Sequence, residues 1–297
     1  MQLTGSICAL ATPFAADGAL DLEAFARLID HQLAGGTQGL VVAGSTGEAH
    51  MLESGEWERL LAFAVSRVAG RVPVLAGAGA AATAETLRNV QRACALGADA
   101  ALVVTPYYVR PTQDGLLRHF TVLADRGGLP IVLYNVPSRT GCDLLPETAA
   151  RLAQHPAIVG LKEARADEAR IAAAARLVQP GFAVLSGDDA SAHRAMRAGM
   201  QGVISVVNNL VPRRMRRLCD AALGGDAGAA EREAAQLDSL LRALECAPNP
   251  IAVKAGLAAL GLAGAGVRLP LTELTAGEAR TRLETSLAAL APAAGVA

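Results

Sequence analysis

Short, uninterrupted apolar runs alternate with longer stretches in which apolar residues return every three or four positions, from the first residues to about Gly225. The short runs at 6–11, 39–43, 72–76, 100–105, 130–135, 158–162, 183–187 and 202–207 read as strands. Between them, 21–33 carries Leu22, Phe25, Ile29 and Leu33 on one helical face. The same periodicity predicts helices over 55–68, 84–96, 113–124, 146–153, 167–178, 190–198 and 212–223. Strands that are apolar along their whole length fit parallel strands covered on both faces. Eight such units, spaced roughly 25–30 residues apart, predict an α/β fold of the (β/α)8 TIM-barrel type rather than an open sheet.

Several boundaries carry their own chemistry. Asp21 and Thr83 are placed to cap helix N-termini, and Pro146 and Pro212 suit first helical turns. Gly97 and Gly199 suit the left-handed position just past a helix. After Gly224-Gly225 the strand pattern stops. Stretches 229–244 and 251–260, then a helix opened by a capping box from Thr275 to Glu278, predict a C-terminal helical appendage. The expected division is a catalytic barrel over 1–225 and a helical domain over 226–297.

Composition narrows the function. At 297 residues, 52% hydrophobic and 19% charged, the chain can bury a large core. A net charge of −1 with interspersed signs gives no basic stripe for nucleic acid and no polybasic segment for a membrane surface. Five scattered cysteines, odd in number and without a CxxC pair, suit a reducing compartment. The N-terminus lacks a signal-peptide pattern, and no apolar run is long and turn-free enough to cross a bilayer. The expectation is a soluble, cytoplasmic protein.

Only Lys162 and Lys254 are lysines, against 25 arginines. Lys162 ends the apolar strand at 158–162, where a surface charge has little solvation reason to be. A primary amine can lose its proton and attack a carbonyl, which a guanidinium cannot. Lys162 is therefore a candidate Schiff-base nucleophile; the alternative is a strand-end lysine paired with Glu163. In a barrel, chemistry gathers at the C-terminal ends of the strands. The other strand ends there are Gly44-Ser-Thr-Gly-Glu48, Thr105-Pro-Tyr-Tyr108, Tyr134-Asn-Val-Pro-Ser-Arg-Thr-Gly141, Ser186-Gly-Asp-Asp189 and Ile204-Ser205. Hydroxyls, one arginine and one lysine would thus share one rim.

The turn at 44–48 can aim consecutive N–H groups at a small carboxylate. Gly77-Ala-Gly79 imitates a dinucleotide fingerprint, but Asp99 precedes its strand instead of ending it, which excludes that reading. Asp188-Asp189 reads as an N-cap pair, because the histidines (31, 50, 119, 155, 193) are too scattered to join it around a metal. No metal is expected.

Tyr134-Asn-Val-Pro-Ser-Arg-Thr-Gly141, Gly-x-x-Gly-Glu at 44–48 and Gly-Leu-Lys-Glu at 160–163 together resemble the dihydrodipicolinate synthase branch of the N-acetylneuraminate lyase superfamily. Thr105-Pro-Tyr-Tyr108, Ser186-Gly-Asp-Asp189, Gly202-Val-Ile-Ser205 and Pro248-Asn-Pro-Ile251 match as well, so the resemblance spans nearly the whole chain. It implies condensation of pyruvate with L-aspartate 4-semialdehyde, on the route to diaminopimelate and lysine. Lys162 would form the imine with pyruvate, without any cofactor. Tyr134, Tyr108 and Ser45 would relay protons. Family members usually carry threonine at Ser45, so here the hydroxyl stays and the methyl that restricts χ1 is lost.

The backbone at Ser45 and Thr46 would hold the pyruvate carboxylate, Gly187 and Ile204 would complete substrate binding, and Arg139 would grip the semialdehyde carboxylate. Tyr108 would belong to a neighbouring subunit's site, implying a dimer at least and usually a homotetramer. Lysine-inhibited relatives use a histidine-containing interface cluster. It falls here on Ser54, Trp57, Ala81, Glu85 and Tyr107, of which only the last two keep the expected chemistry, so feedback by lysine is expected to be weak or absent. Another pyruvate aldolase or hydratase on the same scaffold, and a non-catalytic metabolite sensor, are the alternative readings.

Overall fold

A computed structural model describes residues 3–290. Eight strands, β1 (Gly5–Ala9), β2 (Gly39–Val42), β3 (Val74–Gly77), β4 (Ala100–Val104), β5 (Ile131–Asn135), β6 (Ile158–Glu163), β7 (Ala183–Ser186) and β8 (Gly202–Ser205), close into one barrel in sequence order. Every neighbouring pair is parallel, including β8 with β1.

The helices between the strands are α1 (Leu22–Ala34), α2 (Ser54–Val68), α3 (Thr83–Ala95), α4 (Gln113–Arg126), α5 (Pro137–Thr140), α6 (Pro146–Leu152), α7 (Glu168–Ala175), α8 (Ala192–Arg197) and α9 (Pro212–Leu223). After them come α10 (Ala227–Leu244), α11 (Ile251–Ala259) and α12 (Glu278–Leu290). Residues 291–297, the end of the expected 226–297 portion, lie outside the described residues.

The continuous apolar strands have two cores to fill. Ile7, Val41, Leu75, Leu102, Val132, Leu185 and Ile204 fill the barrel interior. Leu40, Val42, Leu133, Leu161, Val184 and Val203 pack outward against the helices. Side chains alternate between these two cores, as the two-residue strand period requires.

Most boundary chemistry holds. The Asp21 side chain accepts from Ala24 N–H, Pro146 and Pro212 begin their helices, and Gly97 and Gly199 are left-handed at φ +83° and +114°. Two expected caps do not form. Thr83 is already the first helical residue, and its hydroxyl lies 2.9 Å from His119 Nδ1. Glu278 is the first residue of α12 rather than its third, and it pairs with Arg282, so no Thr275 capping box exists. The periodicity missed α5 and the 3-10 turns Ala49–Met51 and Val207–Asn209, each too short for a helical repeat to register.

The appendage is fastened to the rim through Lys254, the other lysine. Wholly buried on α11, it meets Glu48 at 2.6 Å and lies 4.2 Å over the Phe14 ring. Burial pulls the Lys254 ammonium below the usual lysine value despite that partner. The second Glu48 oxygen accepts from Arg268 N–H at 2.9 Å. Removing one member of a buried pair leaves an uncompensated charge and costs about 3–5 kcal/mol. Lys254→Met should therefore lower the unfolding free energy by about that much in urea titration, and adding Glu48→Gln should return part of it. Unchanged stability in Lys254→Met would show that the pair does not fasten the two parts.

Candidate active site

Strand alternation decides what Lys162 can do. In the β5–β6 register Tyr134 stands opposite Lys162 and Asn135 opposite Glu163. Tyr134 and Lys162 point inward, whereas Glu163 points out toward α7, where it meets Asn135, Arg165 N–H and Arg170. The pairing of Lys162 with Glu163 is thus excluded by geometry. Lys162 is 4% exposed, its Nζ lies 4.4 Å from the Tyr134 ring centroid, and among the described residues it forms no ion pair.

Beside it is a cavity of about 290 Å³ whose wall includes Ser45, Tyr107, Tyr134, Arg139 and Asn249. Tyr134 lines this cavity, whereas Lys162 itself does not. Beside Lys162 is Gly187, which lines a second cavity of about 230 Å³ together with Asp188, Asp189 and Asn249. A Cβ on Gly187 would stand 2.9 Å from Lys162 Cε and 3.0 Å from Ala164 Cβ, so only glycine leaves the lysine its present path.

The turn after β2 is shaped by left-handed residues at both ends, Ala43 at φ +53° and Glu48 at φ +54°. Gly47 and Ala49 N–H bond back to Gly44 O, and Glu48 N–H to Ser45 O. Among the described residues no carbonyl accepts from Ser45 or Thr46 N–H. Two adjacent amides without an acceptor suit one carboxylate, although only Ser45 shares the first cavity with Tyr134 and Thr46 is buried outside it. The Thr46 hydroxyl is turned away and accepts from Asn249 Nδ2 at 2.9 Å.

Arg139 sits on α5, a single turn started by Pro137 and ended by left-handed Gly141. Its guanidinium reaches the first cavity and donates to Asn249 O at 3.2 Å. Asn249 therefore touches both the carboxylate turn and Arg139. Sequence reasoning noted the Pro248-Asn-Pro-Ile251 motif without seeing that this turn, brought in by the appendage, forms part of the wall. The cis Asn249–Pro250 bond is part of that turn.

Not every expected site residue comes together. Ile204 is wholly buried in the barrel interior and lines neither cavity. Tyr108 is 91% exposed with φ +73°, and its side chain is absent from the cavity wall of its own chain; Tyr107 is there instead, edge-on to His50 at 4.6 Å. Asp188 and Asp189 do not cap α8, which begins after Ser191. Asp188 accepts from the Ser191 amide and hydroxyl, and Asp189 accepts from Val206 and Val207 N–H, tying β7 to the exit of β8. Burial raises the Asp189 carboxyl above the ordinary range although those donors oppose the shift. Among the described residues no three His, Cys, Asp or Glu side chains converge to hold a metal ion.

A further cavity of about 380 Å³ shares Tyr107, His50 and Gly79 with the first. Ser54, Trp57, Glu85 and Tyr107 line it, with Arg88 and Arg92; Ala81 does not. Trp57 donates to Gly77 O at 3.0 Å, and Arg92 donates to the Ser54 hydroxyl at 2.7 Å.

The tight fit at Gly187 is testable. In Gly187→Ala, Lys162 Cε must withdraw by about 0.5 Å or more to restore ordinary contact, and a crystal structure of the variant checks it. An unmoved lysine would mean that the strand end yields instead.

A model of the dihydrodipicolinate synthetase family matches residues 2–290. The 4-hydroxy-tetrahydrodipicolinate synthase of Xanthomonas axonopodis pv. citri is 57% identical over 276 residues, covering 93% of this chain and 91% of its own. That of Stenotrophomonas maltophilia is 53% identical over 292 residues, covering 98% of each chain. Among solved structures, the chloride-inhibited dihydrodipicolinate synthase from Acinetobacter baumannii complexed with pyruvate superposes with a TM-score of 0.94 at 40% identity, over 97% of this chain and 99% of that one. By motif order, barrel and sequence, the chain belongs to the dihydrodipicolinate synthetase family.

Proposed function

We propose that Lys162 is the nucleophile with which this chain condenses pyruvate and L-aspartate 4-semialdehyde to 4-hydroxy-tetrahydrodipicolinate. The chain is a pyruvate-dependent lyase of lysine and diaminopimelate biosynthesis. The observation that carries the role of Lys162 is a buried amine with no carboxylate partner among the described residues, 4.4 Å from the ring of Tyr134 at the cavity wall. Its Nζ attacks the pyruvate ketone, water leaves, and the resulting imine tautomerises to an enamine. The enamine carbon attacks the aldehyde, and ring closure by the substrate amine displaces Lys162. The imine forms with the substrate itself, so the reading calls for no cofactor.

The amides of Ser45 and Thr46 hold the pyruvate carboxylate, and Tyr134 and Ser45 carry protons at the cavity wall. Gly187 leaves room for the amine, and the substrate-binding role expected of Ile204 is not proposed, since that residue is buried in the barrel interior and lines neither cavity. The Arg139 guanidinium takes the second carboxylate as a planar fork. Tyr108, exposed and outside its own cavity, is read as entering the site of a neighbouring copy, in a homotetramer. The catalytic barrel is 1–225, and the helical portion 226–297 lends it Asn249. Five unpaired cysteines support a reducing, cytoplasmic setting.

Borohydride reduction with pyruvate, followed by mass spectrometry, should add pyruvate to the Lys162 peptide, and Lys162→Arg should abolish both adduct and turnover. Arg139→Ala should leave the adduct intact while raising KM for the semialdehyde about tenfold or more, the worth of a charge-assisted hydrogen bond. An adduct on any other residue would refute the assignment.

Regulation follows from the third cavity. Ser54 and Trp57 fall on the histidine-containing cluster of lysine-inhibited relatives without keeping its chemistry, and Arg92 donates to the Ser54 hydroxyl. Steady-state assays should therefore show no inhibition at sub-millimolar lysine; clear inhibition there would overturn this reading.

A further inference from the structure

The reverse face of the β5–β6 rim holds a buried polar cluster that the reaction scheme does not use. Asn135 and Glu163 are opposite one another in register and directly follow Tyr134 and Lys162. Asn135 Nδ2 donates to both Glu163 oxygens, at 3.0 and 3.1 Å, and to Asp143 Oδ1 at 2.9 Å. Asn135 Oδ1 accepts from Leu144 N–H at 2.9 Å. Glu163 also accepts from Arg165 N–H at 2.8 Å and from Arg170 Nη1 at 3.3 Å. Arg170 donates to Leu144 O at 3.0 Å and to Asp143 at 2.5 Å, and Arg165 reaches Asp143 at 3.1 Å. Asn135, Glu163 and Arg170 are all buried. Their polar atoms are engaged in one connected set.

Three parts of the site converge on this set. Backbone bonds link it to the strands, with Ala164 N–H on Asn135 O and Gly187 N–H on Glu163 O. Leu144, held through both its N–H and its C=O, fixes the far end of the segment that carries Arg139 and Thr140. Displacing either side chain would shift strand ends rather than a surface loop.

We infer that Asn135 and Glu163 are positioning residues: their contact on the outer face sets the separation of Lys162 and Tyr134 on the inner face and anchors the segment bearing Arg139. A cluster serving stability alone would not need its two central members to adjoin the amine and the phenol in sequence. It would not need to hold the Arg139 segment as well. Burial raises the Glu163 carboxyl above its ordinary range against the pull of its hydrogen-bond donors and Arg170. A buried carboxylate so dependent on its donors has little freedom to relocate. Misplacing a reacting group by about 1 Å can cost on the order of a hundredfold in rate.

The inference rests on Lys162 as the imine-forming residue, and the test separates the two. The isosteric Glu163→Gln keeps an acceptor for Arg165 N–H but deprives Arg170 of one of its two carboxylate partners, leaving it Asp143, and Asn135 of one oxygen. In Glu163→Gln, with an unchanged circular dichroism spectrum, the rate of borohydride-trappable adduct formation on Lys162 should fall at least about tenfold. KM for pyruvate should change by less than about threefold, because the amides of Ser45 and Thr46 are untouched.

Asn135→Ala should slow trapping as well and also raise KM for the semialdehyde, since Leu144 loses its anchor. Asp226→Ala, which removes the N-cap of α10, supplies the control: it should lower thermal stability and leave trapping at the parent rate. Parent-rate trapping in folded Glu163→Gln, or slowing only in proportion to the folded fraction, would overturn the inference. Failure of both Glu163→Gln and Asn135→Ala to fold would mark the pair as purely structural and overturn it too. Absence of any adduct on Lys162 in the parent protein would instead sink the reading on which it rests.

Discussion

A lysine held inside a barrel, with no carboxylate among the described residues to pair with, is the constraint on which the rest of this molecule depends. Burying an ammonium is costly unless an opposite charge answers it. The residue following Lys162 in the chain is a glutamate, and the two-residue period of the strand sends it to the opposite face. One peptide unit therefore separates the amine from the charge that would have neutralised its chemistry. Closure of the barrel keeps that separation, because no strand edge is free to slip by a residue.

The mouth above this lysine is assembled from distant parts of the chain, and the appendage is one of them. Glu48, held left-handed at the end of the carboxylate turn, meets Lys254 and the Arg268 amide, both beyond residue 225. Asn249 reaches Thr46 with its side chain and Arg139 with its carbonyl. The segments beyond residue 225 thus act on the site by bonding to the 44–48 turn and to Arg139.

Much of this was legible in the sequence because its signals are local. Continuous apolar strands, glycines past helix ends and prolines at helix starts each report on a few neighbouring residues, and they placed eight strands in the right order. The strand ends put Lys162, Tyr134, Ser45 and Arg139 on one rim, while the roles expected of the last three came from the family resemblance. What stayed hidden was long-range. Nothing local to Asn249 or Lys254 says that a turn and a helix far along the chain come back to the rim. Asp188 and Asp189 looked like helix caps because a carboxylate before a helix usually is one. In the fold, backbone amides at the exit of β8 compete for Asp189 and win. The Thr275 capping box failed similarly, since the residue spacing was right and the helix simply starts later.

The chain's two lysines show how little residue type decides by itself. Both are buried, and both lie about 4 Å from an aromatic ring, Tyr134 in one case and Phe14 in the other. Lys254 has a carboxylate at 2.6 Å and serves as a fastening, with its charge spent on Glu48. Lys162 has a glycine where a side chain would crowd it, a phenol beside it, and its neighbouring carboxylate on the far side of the strand. The proposed nucleophile and the structural cross-link thus differ above all in one respect, whether the backbone delivers a counter-charge to the amine or carries it away. For Lys162 that respect is fixed by strand parity, which sends Glu163 to the opposite face.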